Sequence, residues 1–167
     1  MAEYQHIEHG FEPVFDERSR VLVLGSFPSV LSLANAFYYG NPQNRFWRVA
    51  AACAGEKACP ATIPEKRAML LRHGIALWDV IHSCDIKGSS DASIRNVVPA
   101  DVARITGVAA VEAVFCNGGT AGRLYRRYLR GVTGMDATVL PSTSPANAAW
   151  SLERLTGHWG EALGQYL

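Results

Sequence analysis

The fold is decided by an apolar run that ends in a small, hydroxyl-bearing loop, Val21-Leu22-Val23-Leu24-Gly25-Ser26-Phe27-Pro28-Ser29. A second run of this kind, Thr138-Val139-Leu140, ends in Pro141-Ser142-Thr143-Ser144-Pro145. A short, continuous apolar run bounded by turn residues is typical of a strand buried on both faces. We therefore predict four strands, at Val21–Gly25, Ile75–Ile81, Ala113–Cys116 and Ala137–Leu140.

Helical patterns separate these runs. The predicted helices lie at Asn44–Cys53, from a capping box at Thr62 to a stop at Gly74, around Ala121–Leu129, from Ser144 to about Leu155, and at His158–Tyr166. The stretch Gly88–Asn96 is polar and is predicted to be a loop. Strands that alternate with helices imply βαβ crossovers. We expect one α/β domain over residues 1–167, with a four-stranded, mostly parallel sheet flanked by helices.

Composition excludes several classes of protein. The 167 residues carry a formal net charge of +1, so any contact with nucleic acid must come from local patches. The chain has no run of about 18 apolar residues, and Met1–His6 lacks the features of a secretory signal, which favours the cytoplasm and no membrane. Walker, Rossmann, His-Glu-x-x-His and Gly-x-Ser-x-Gly motifs are absent. The four cysteines lack metal-site spacing, although the sequence leaves a Cys53–Cys59 disulfide open.

Polar residues follow each predicted strand. They are Ser26–Ser29, Asp79, Asn117-Gly118-Gly119 and Ser142–Ser144. Because the carboxyl ends of parallel strands meet at one edge of a sheet, we expect these groups to share a ligand site. Glycines and hydroxyls that open helices leave backbone N–H groups free for an anion, although each loop taken singly is also ordinary turn chemistry.

An aromatic segment, Tyr38-Tyr39-Gly40-Asn41-Pro42-Gln43-Asn44-Arg45-Phe46-Trp47, follows the first loop. Tyr39 offers a flat surface on which a flipped base would stack, unless it or Tyr38 packs in the core. The uncharged amide of Asn41 is a candidate for holding a water molecule, or it is a turn residue before Pro42.

These segments together resemble the uracil-DNA glycosylase superfamily. Gly25-Ser26-Phe27-Pro28 stands where that superfamily has its first motif, and Pro141-Ser142-Thr143-Ser144-Pro145 stands where its second, phosphate-gripping motif belongs. The segment Tyr39–Trp47 is similar to the Asn-Arg-Phe-Trp region of the mismatch-specific branch. The resemblance runs in order from about Arg20 to Leu167.

Two departures from the superfamily's motifs narrow the choice of family within it. Phe27 replaces the Asn that positions water in the mismatch-specific branch, and Leu140 replaces the His of the uracil-specific branches. The pattern is most similar to the hypoxanthine-DNA (DNA-deoxyinosine) glycosylase family. The resemblance implies a monomer that hydrolyses the N-glycosidic bond of a flipped, deaminated adenine in DNA, without metal or cofactor.

Roles for single residues follow from the sequence and the resemblance together. Either Asn41 positions the attacking water, or Asp79 accepts from the base or acts as a general base. The expected substrate-binding residues are Gly25, Ser26, Phe27, Pro28, Tyr39, Asn117, Ser142 and Ser144. The expected DNA-backbone contacts are Ser29, Arg45, Arg48, Thr143 and Asn147, with Pro145 as a small wedge.

Three alternatives stay open at this point. The first is a uracil or mismatch-specific glycosylase. The second is a nucleic-acid-binding relative that kept the fold without the chemistry, because a fold does not determine a function. The third is a hydrolase of small molecules that uses Asp79 and Asp85.

Overall fold

The computed structural model describes residues 3–88 and 90–167. Met1, Ala2 and Ser89 lie outside the described residues, and parts of the expectations for the N-terminus and for the 88–96 loop fall on them. The elements follow in the order β1 (Tyr4–Glu8), β2 (Val21–Gly25), α1 (Val30–Asn35), α2 (Phe46–Cys53), α3 (Ile63–Arg72), β3 (Ile75–Asp79), β4 (Ile81–Lys87), β5 (Arg95–Pro99), α4 (Ala103–Thr106), β6 (Ala113–Asn117), α5 (Gly119–Tyr128), α6 (Arg130–Thr133), β7 (Ala137–Leu140) and α7 (Leu152–Leu163).

Four parallel strands form the central sheet, in the spatial order β3-β2-β6-β7. Val21 of β2 pairs with Ile75 of β3 on one side and with Ala113 of β6 on the other. All five residues of β2 are buried, as a continuous apolar strand requires. The predicted four-stranded α/β sheet is confirmed. The strand order reverses between β2 and β6, and such a reversal opens a crevice at the carboxyl ends of the strands.

The predicted strand Ile75–Ile81 is divided between two sheets. β3 ends at Asp79, and β4 begins at Ile81 in a second, antiparallel sheet of order β1-β4-β5. In that sheet Tyr4 pairs with Lys87, and the predicted loop at 88–96 is wrong from Arg95 onward, where β5 begins. The sequence did not predict this sheet because β1 and β5 are largely exposed and carry no apolar run.

The helix predicted from the capping box at Thr62 is confirmed. Thr62 Oγ1 accepts from the Glu65 N–H at 3.2 Å, and Gly74 follows α3 with a φ of +70°, as the capping pattern predicts. α2 begins at Phe46 rather than at Asn44, because Asn44 Oδ1 accepts from the Phe46 N–H at 2.9 Å. The amphipathic helix α5 is present as predicted, whereas α1 was not predicted.

The helix predicted to begin at Ser144 is wrong. The Ser144 carbonyl accepts from the Asn147 N–H, and the Asn147 carbonyl accepts from the Trp150 N–H, so this segment forms two successive turns. A single helix, α7, follows where two were predicted, and Ser151 Oγ caps it by accepting from the Arg154 N–H at 3.1 Å. Residues 144–150 are therefore a loop made of two successive turns rather than the start of a helix.

Aromatic packing between α2 and α7 supports the ligand edge of the sheet. The ring of Phe46 stacks on Tyr39 at 4.2 Å and meets Trp159 edge-on at 6.0 Å. Trp159 is fully buried, and its Nε1–H donates to the Pro141 carbonyl at 2.9 Å. The same core thus fixes the aromatic segment and the loop after β7. Among the described residues, no helix is long and apolar enough to cross a membrane.

Candidate active site

A cavity of about 610 Å³ opens at the carboxyl edge of the central sheet. Its wall comes from the ends of β2, β3, β6 and β7 and from the aromatic segment before α2. All the predicted site residues except Arg45 and Arg48 line it. They are Gly25, Ser26, Phe27, Pro28, Ser29, Tyr39, Asn41, Asp79, Asn117, Ser142, Thr143, Ser144 and Asn147. The predicted site residues therefore meet at one cavity, and their roles in binding and catalysis stay predictions.

Asp79, at the end of β3, brings a buried carboxylate to this wall. Its side chain is 5% exposed, and Oδ2 accepts from His9 Nε2–H at 2.8 Å. Directly opposite, Gly25 has no room for a side chain. A Cβ there would overlap Asp79 Oδ1 and would lie 3.0 Å from the Tyr39 hydroxyl. Gly25 thus allows the carboxylate and the phenol to approach the same point of the wall.

Tyr39 is held in an unusual backbone conformation. Its φ of +53° lies in the left-handed region, which costs a residue with a large side chain about 1–3 kcal/mol. One face of its ring is covered by Phe46, and its hydroxyl accepts from Asn117 Nδ2 at 3.1 Å. Burial, together with the charge of Asp79, raises the pKa of the Tyr39 hydroxyl well above its usual range. The phenol therefore stays protonated and keeps a proton to donate.

Thr143 is the centre of a network beneath the cavity. Its N–H donates to Asn117 Oδ1 at 3.0 Å, and its Oγ1 donates to Asn44 Oδ1 at 2.8 Å while accepting from Asn117 Nδ2 at 3.0 Å. The residue is fully buried, so the expected contact of Thr143 with the DNA backbone is wrong. Asn117, expected to bind substrate, has both ends of its amide engaged with protein. Both residues instead hold neighbouring loops together.

Arg45 also has a different role from the one expected. Its guanidinium donates to the carbonyls of Ser144 at 2.8 Å and Asn147 at 3.1 Å, and also to the Trp150 carbonyl. Its Nε and its backbone N–H both donate to the Thr143 carbonyl. Arg45 is thus occupied by protein carbonyls and shapes the loop after β7 rather than contacting a phosphate. Arg48 is exposed on α2 and does not line the cavity, and its phosphate contact stays a prediction.

Asn41 and Ser29, predicted to hold water and to contact the DNA backbone, use part of their hydrogen-bonding capacity in local turns. Asn41 Oδ1 accepts from the Gln43 N–H at 2.9 Å, the turn role left open by the sequence. Ser29 caps α1, where its Oγ accepts from the Ser32 N–H and donates to Ser32 Oγ, so its hydroxyl proton is used inside the protein. A carbonyl oxygen has two lone pairs, and Asn41 therefore keeps capacity to bind water.

The loop after β7 presents two serine hydroxyls that, unlike the Ser29 hydroxyl, accept a hydrogen bond within the loop without donating one there. Ser142 Oγ accepts from the Ser144 N–H at 3.1 Å, and Ser144 Oγ accepts from the Ala146 N–H at 3.2 Å. Both hydroxyl protons are left for an acceptor outside these turns. Asn147 holds the loop through Nδ2, which donates to the Ser142 carbonyl at 3.0 Å.

The N-terminus of α5 faces the same cavity. Gly118 precedes the helix with a φ of +94°, and its place beside Ser142 leaves only 3.2 Å between a Cβ and the Ser142 Cβ. Among the described residues no side chain caps this end, so its first backbone N–H groups are left for a ligand. Together with the helix dipole they favour an anion or an electron-rich oxygen.

Two residues of the site were not predicted from the sequence. His9 lies far from Asp79 along the chain and follows a strand that the sequence did not reveal, and Asn44 was taken only as a helix start. The alternative that paired Asp79 with Asp85 is wrong. Asp85 lies in the second sheet, where it accepts from Asn96 Nδ2 at 2.8 Å and pairs with His6. It does not line the cavity.

Comparison with known proteins places this chain and its fold among the DNA glycosylases. A family model described as the uracil DNA glycosylase superfamily matches residues 12–162. The match covers nearly the whole chain, including every strand of the central sheet. The chain belongs to the uracil DNA glycosylase superfamily.

Two curated relatives and one solved structure are similar over most of their length. A Methanosarcina acetivorans protein named hypoxanthine DNA glycosylase is 35% identical over 148 residues, covering 89% of this chain and 93% of that protein. A Methanosarcina barkeri protein of the same name is 33% identical over 156 residues, covering 93% and 97%. A solution NMR structure from Methanosarcina acetivorans, described provisionally as a uracil DNA glycosylase, has a TM-score of 0.79 at 34% identity, covering 94% and 96%.

Proposed function

We propose that this DNA glycosylase removes hypoxanthine from deoxyinosine in DNA by hydrolysing the N-glycosidic bond of a flipped nucleotide. The observation that carries the proposal is the buried Asp79 carboxylate in the cavity wall, next to Gly25 and Tyr39. Hypoxanthine has an N1–H that a carboxylate accepts, whereas adenine has a bare N1 lone pair at the same position. The names of the two Methanosarcina relatives favour the same substrate.

Tyr39 provides the stacking surface in this proposal. Phe46 covers one face of its ring, and the base would lie against the other face, on the cavity side. Stacking of a base on an aromatic side chain contributes about 1–3 kcal/mol. A stacked purine reaches Asp79 with its N1–H because the Tyr39 hydroxyl and Asp79 Oδ1 both lie against Gly25.

Bond cleavage moves the electron pair of the glycosidic bond onto the base and leaves an oxocarbenium-like sugar. The backbone N–H groups of Ser26 and Phe27, at the end of β2, would donate to the base as its negative charge develops. Asn41 would hold the water whose oxygen bonds to C1′ of the sugar. One proton of that water passes to the departing base, so the products are free hypoxanthine and an abasic site.

The loop after β7 would hold the phosphates that flank the flipped nucleotide. Ser142 and Ser144 have free hydroxyl protons, and phosphate oxygens are strong acceptors. Pro145 is exposed at the edge of the cavity, where it would occupy part of the space the base has left. The enzyme would act as a monomer.

Asp79 offers a second way to activate water, as a general base. The two assignments differ in their pH dependence. With Asn41 as the water ligand, the single-turnover rate constant stays nearly flat from about pH 6 to 9, whereas a carboxylate base produces an acid limb. Because accepting the N1–H also needs the carboxylate, the comparison is made on 1-methyl-deoxyinosine, which lacks that N–H. An acid limb on this substrate that disappears in Asp79→Asn would reassign the step to Asp79.

Uracil is the second candidate base, because its N3–H is also a donor to a carboxylate and the matching family model is named for uracil. Duplex oligonucleotides with one deoxyinosine, deoxyuridine, deoxyxanthosine or G·T mismatch distinguish the candidates after alkaline cleavage of abasic sites. We expect strand scission at deoxyinosine and none in a deoxyadenosine control. Scission at deoxyuridine alone would show that the substrate base is uracil rather than hypoxanthine. DNA binding without any scission would indicate a relative without catalytic activity.

A further inference from the structure

His9 contacts Asp79 of the cavity wall from the segment after β1, ahead of the residues that the family model matches. Its backbone N–H donates to the His82 carbonyl at 2.7 Å, which ties the segment to the second sheet. Aromatic rings enclose the imidazole, with Phe11 at 4.4 Å, Tyr38 at 5.9 Å and Phe27 edge-on at 6.1 Å. His9 therefore has little freedom to turn, and its direction toward Asp79 is fixed.

The hydrogen bond to Asp79 defines which ring nitrogen carries the proton. A carboxylate only accepts, so Nε2 donates to Asp79 Oδ2 over 2.8 Å. Nδ1 is buried and lacks a partner within the described part of the chain. A bare acceptor there is less costly than an unpaired N–H would be, which agrees with a ring whose proton toward Asp79 is on Nε2. A buried polar atom without a hydrogen-bond partner is unusual in a native core and needs an explanation.

The surroundings of Asp79 supply that reason. Within the described residues, the cavity wall contains no Lys or Arg side chain, and the neighbouring Tyr38 hydroxyl is turned away to the Glu12 carbonyl at 2.8 Å. His9 is thus the side chain that donates to the carboxylate. A carboxyl group without this donor is free to rotate, and neither of its oxygens would be held toward the base.

We propose that His9 is a positioning residue that holds Asp79 as a fixed acceptor and so makes the pair the element that selects deaminated purines over adenine. The inference rests on the proposed function, since it concerns how the same cavity reads the base. His9 Nε2–H occupies Oδ2, and Oδ1 is left against Gly25 for the N1–H of the substrate. Selection then depends on a donor at the position of Nε2 rather than on the imidazole as such.

Two substrates and two variants test this directly. The substrates are oligonucleotides with deoxyinosine or with 1-methyl-deoxyinosine, which keeps O6 and lacks the N1–H. The variants are His9→Gln, whose amide reaches the place of Nε2, and His9→Asn, which is one methylene shorter. The measured quantity is the ratio of single-turnover rates on the two substrates. This ratio does not depend on the fraction of folded enzyme.

We expect the native protein to prefer deoxyinosine strongly and His9→Gln to keep that ratio within about threefold. In His9→Asn the ratio should fall at least about tenfold, because a hydrogen bond to a charged group is lost or misdirected. An unchanged ratio in His9→Asn, or an equal loss in both variants, would overturn the proposal. If the native protein does not release hypoxanthine at all, the proposed function fails instead, and the two failures are distinct.

Discussion

The side-chain amide of Asn117 donates to the Tyr39 hydroxyl at 3.1 Å and joins the end of β6 to the aromatic segment before α2. The same amide donates to Thr143, and Thr143 donates to Asn44, so three loops are connected through one network. Phe46 supports the Tyr39 ring from behind. An aromatic surface held in place before the ligand arrives loses little entropy on binding, which is the physical basis of a preorganised base site.

Replacing Tyr39 separates stacking from hydrogen bonding. Tyr39→Leu removes the flat ring and should lower kcat/KM on deoxyinosine DNA by about 5- to 150-fold, equivalent to about 1–3 kcal/mol. Tyr39→Phe keeps the ring and loses only the bond to Asn117, so its loss should be smaller. Single-turnover kinetics check both variants. Equal losses in the two would show that the ring face does not carry the base.

Gly25→Ala should disable the site without unfolding the sheet. The added Cβ overlaps Asp79 Oδ1, so the carboxylate must turn away from the cavity. We expect kcat/KM to fall by about 100-fold, the range that misplaced catalytic groups produce. The matched control is Gly157→Ala on the exposed side of α7, where nothing lies within 4 Å of the new Cβ. That variant should keep its activity and gain about 0.5–1 kcal/mol in the free energy of unfolding.

Arg45→Lys should destabilise the loop after β7. A lysine cannot reproduce the fork that now serves the carbonyls of Ser144, Asn147 and Trp150, and buried carbonyls without donors are costly. Urea denaturation should give a loss of about 2–4 kcal/mol. The control is Arg48→Lys, on the exposed face of α2, which begins directly after Arg45. Its free energy of unfolding should stay within about 0.5 kcal/mol of that of the native protein. A neutral result for Arg45→Lys would contradict the assigned clamp role.

The cysteines should react with alkylating agents in a definite order. All four are free, and only Cys59 is exposed. Burial raises the pKa of the Cys53 thiol to about 11 and that of Cys116 to about 12. At pH 8, about one Cys53 thiol in a thousand is therefore the reactive thiolate. Mass spectrometry should find one rapid modification with iodoacetamide, and that modification should disappear in Cys59→Ser. A Cys53–Cys59 disulfide, which the sequence left open, would abolish it in the native protein.

Local sequence patterns were sufficient for the central sheet. The run Val21–Gly25 and the run Ala137–Leu140 are strands with the predicted bounds. β2 is buried along its whole length, as its continuous apolar run predicts, whereas β7 lies at the edge of the sheet and exposes Thr138 and Val139. The second sheet could not be predicted in this way. Its pairing of Tyr4 with Lys87 joins distant parts of the chain whose side chains are mostly exposed, so no periodicity marks it.

The limits of the site prediction have the same origin. Ser144-Pro145 has the residues of a helix start, yet Arg45 draws three carbonyls of that segment toward one guanidinium, and a tertiary contact overrides the local pattern. Likewise Thr143 and Asn117 look like ligand-binding loop residues, and only the fold reveals that they bind each other. His9 had no signal at all, because its role depends on its contact with Asp79.

In the proposed function, the Asp79 carboxylate accepts a hydrogen bond from the N1–H of hypoxanthine. Because His9 Nε2–H would hold the amide oxygen of Asp79→Asn, the amide N–H₂ would face the base and oppose the N1–H of hypoxanthine. The most direct test is mass-spectrometric detection of the free base released from deoxyinosine duplex DNA by the native protein and by this variant, with a deoxyadenosine duplex beside it. We expect the native protein to release hypoxanthine and not adenine, and Asp79→Asn to release hypoxanthine about 100-fold more slowly with weaker discrimination against adenine. Release of hypoxanthine by Asp79→Asn at the native rate and selectivity, or no release by the native protein, would contradict it.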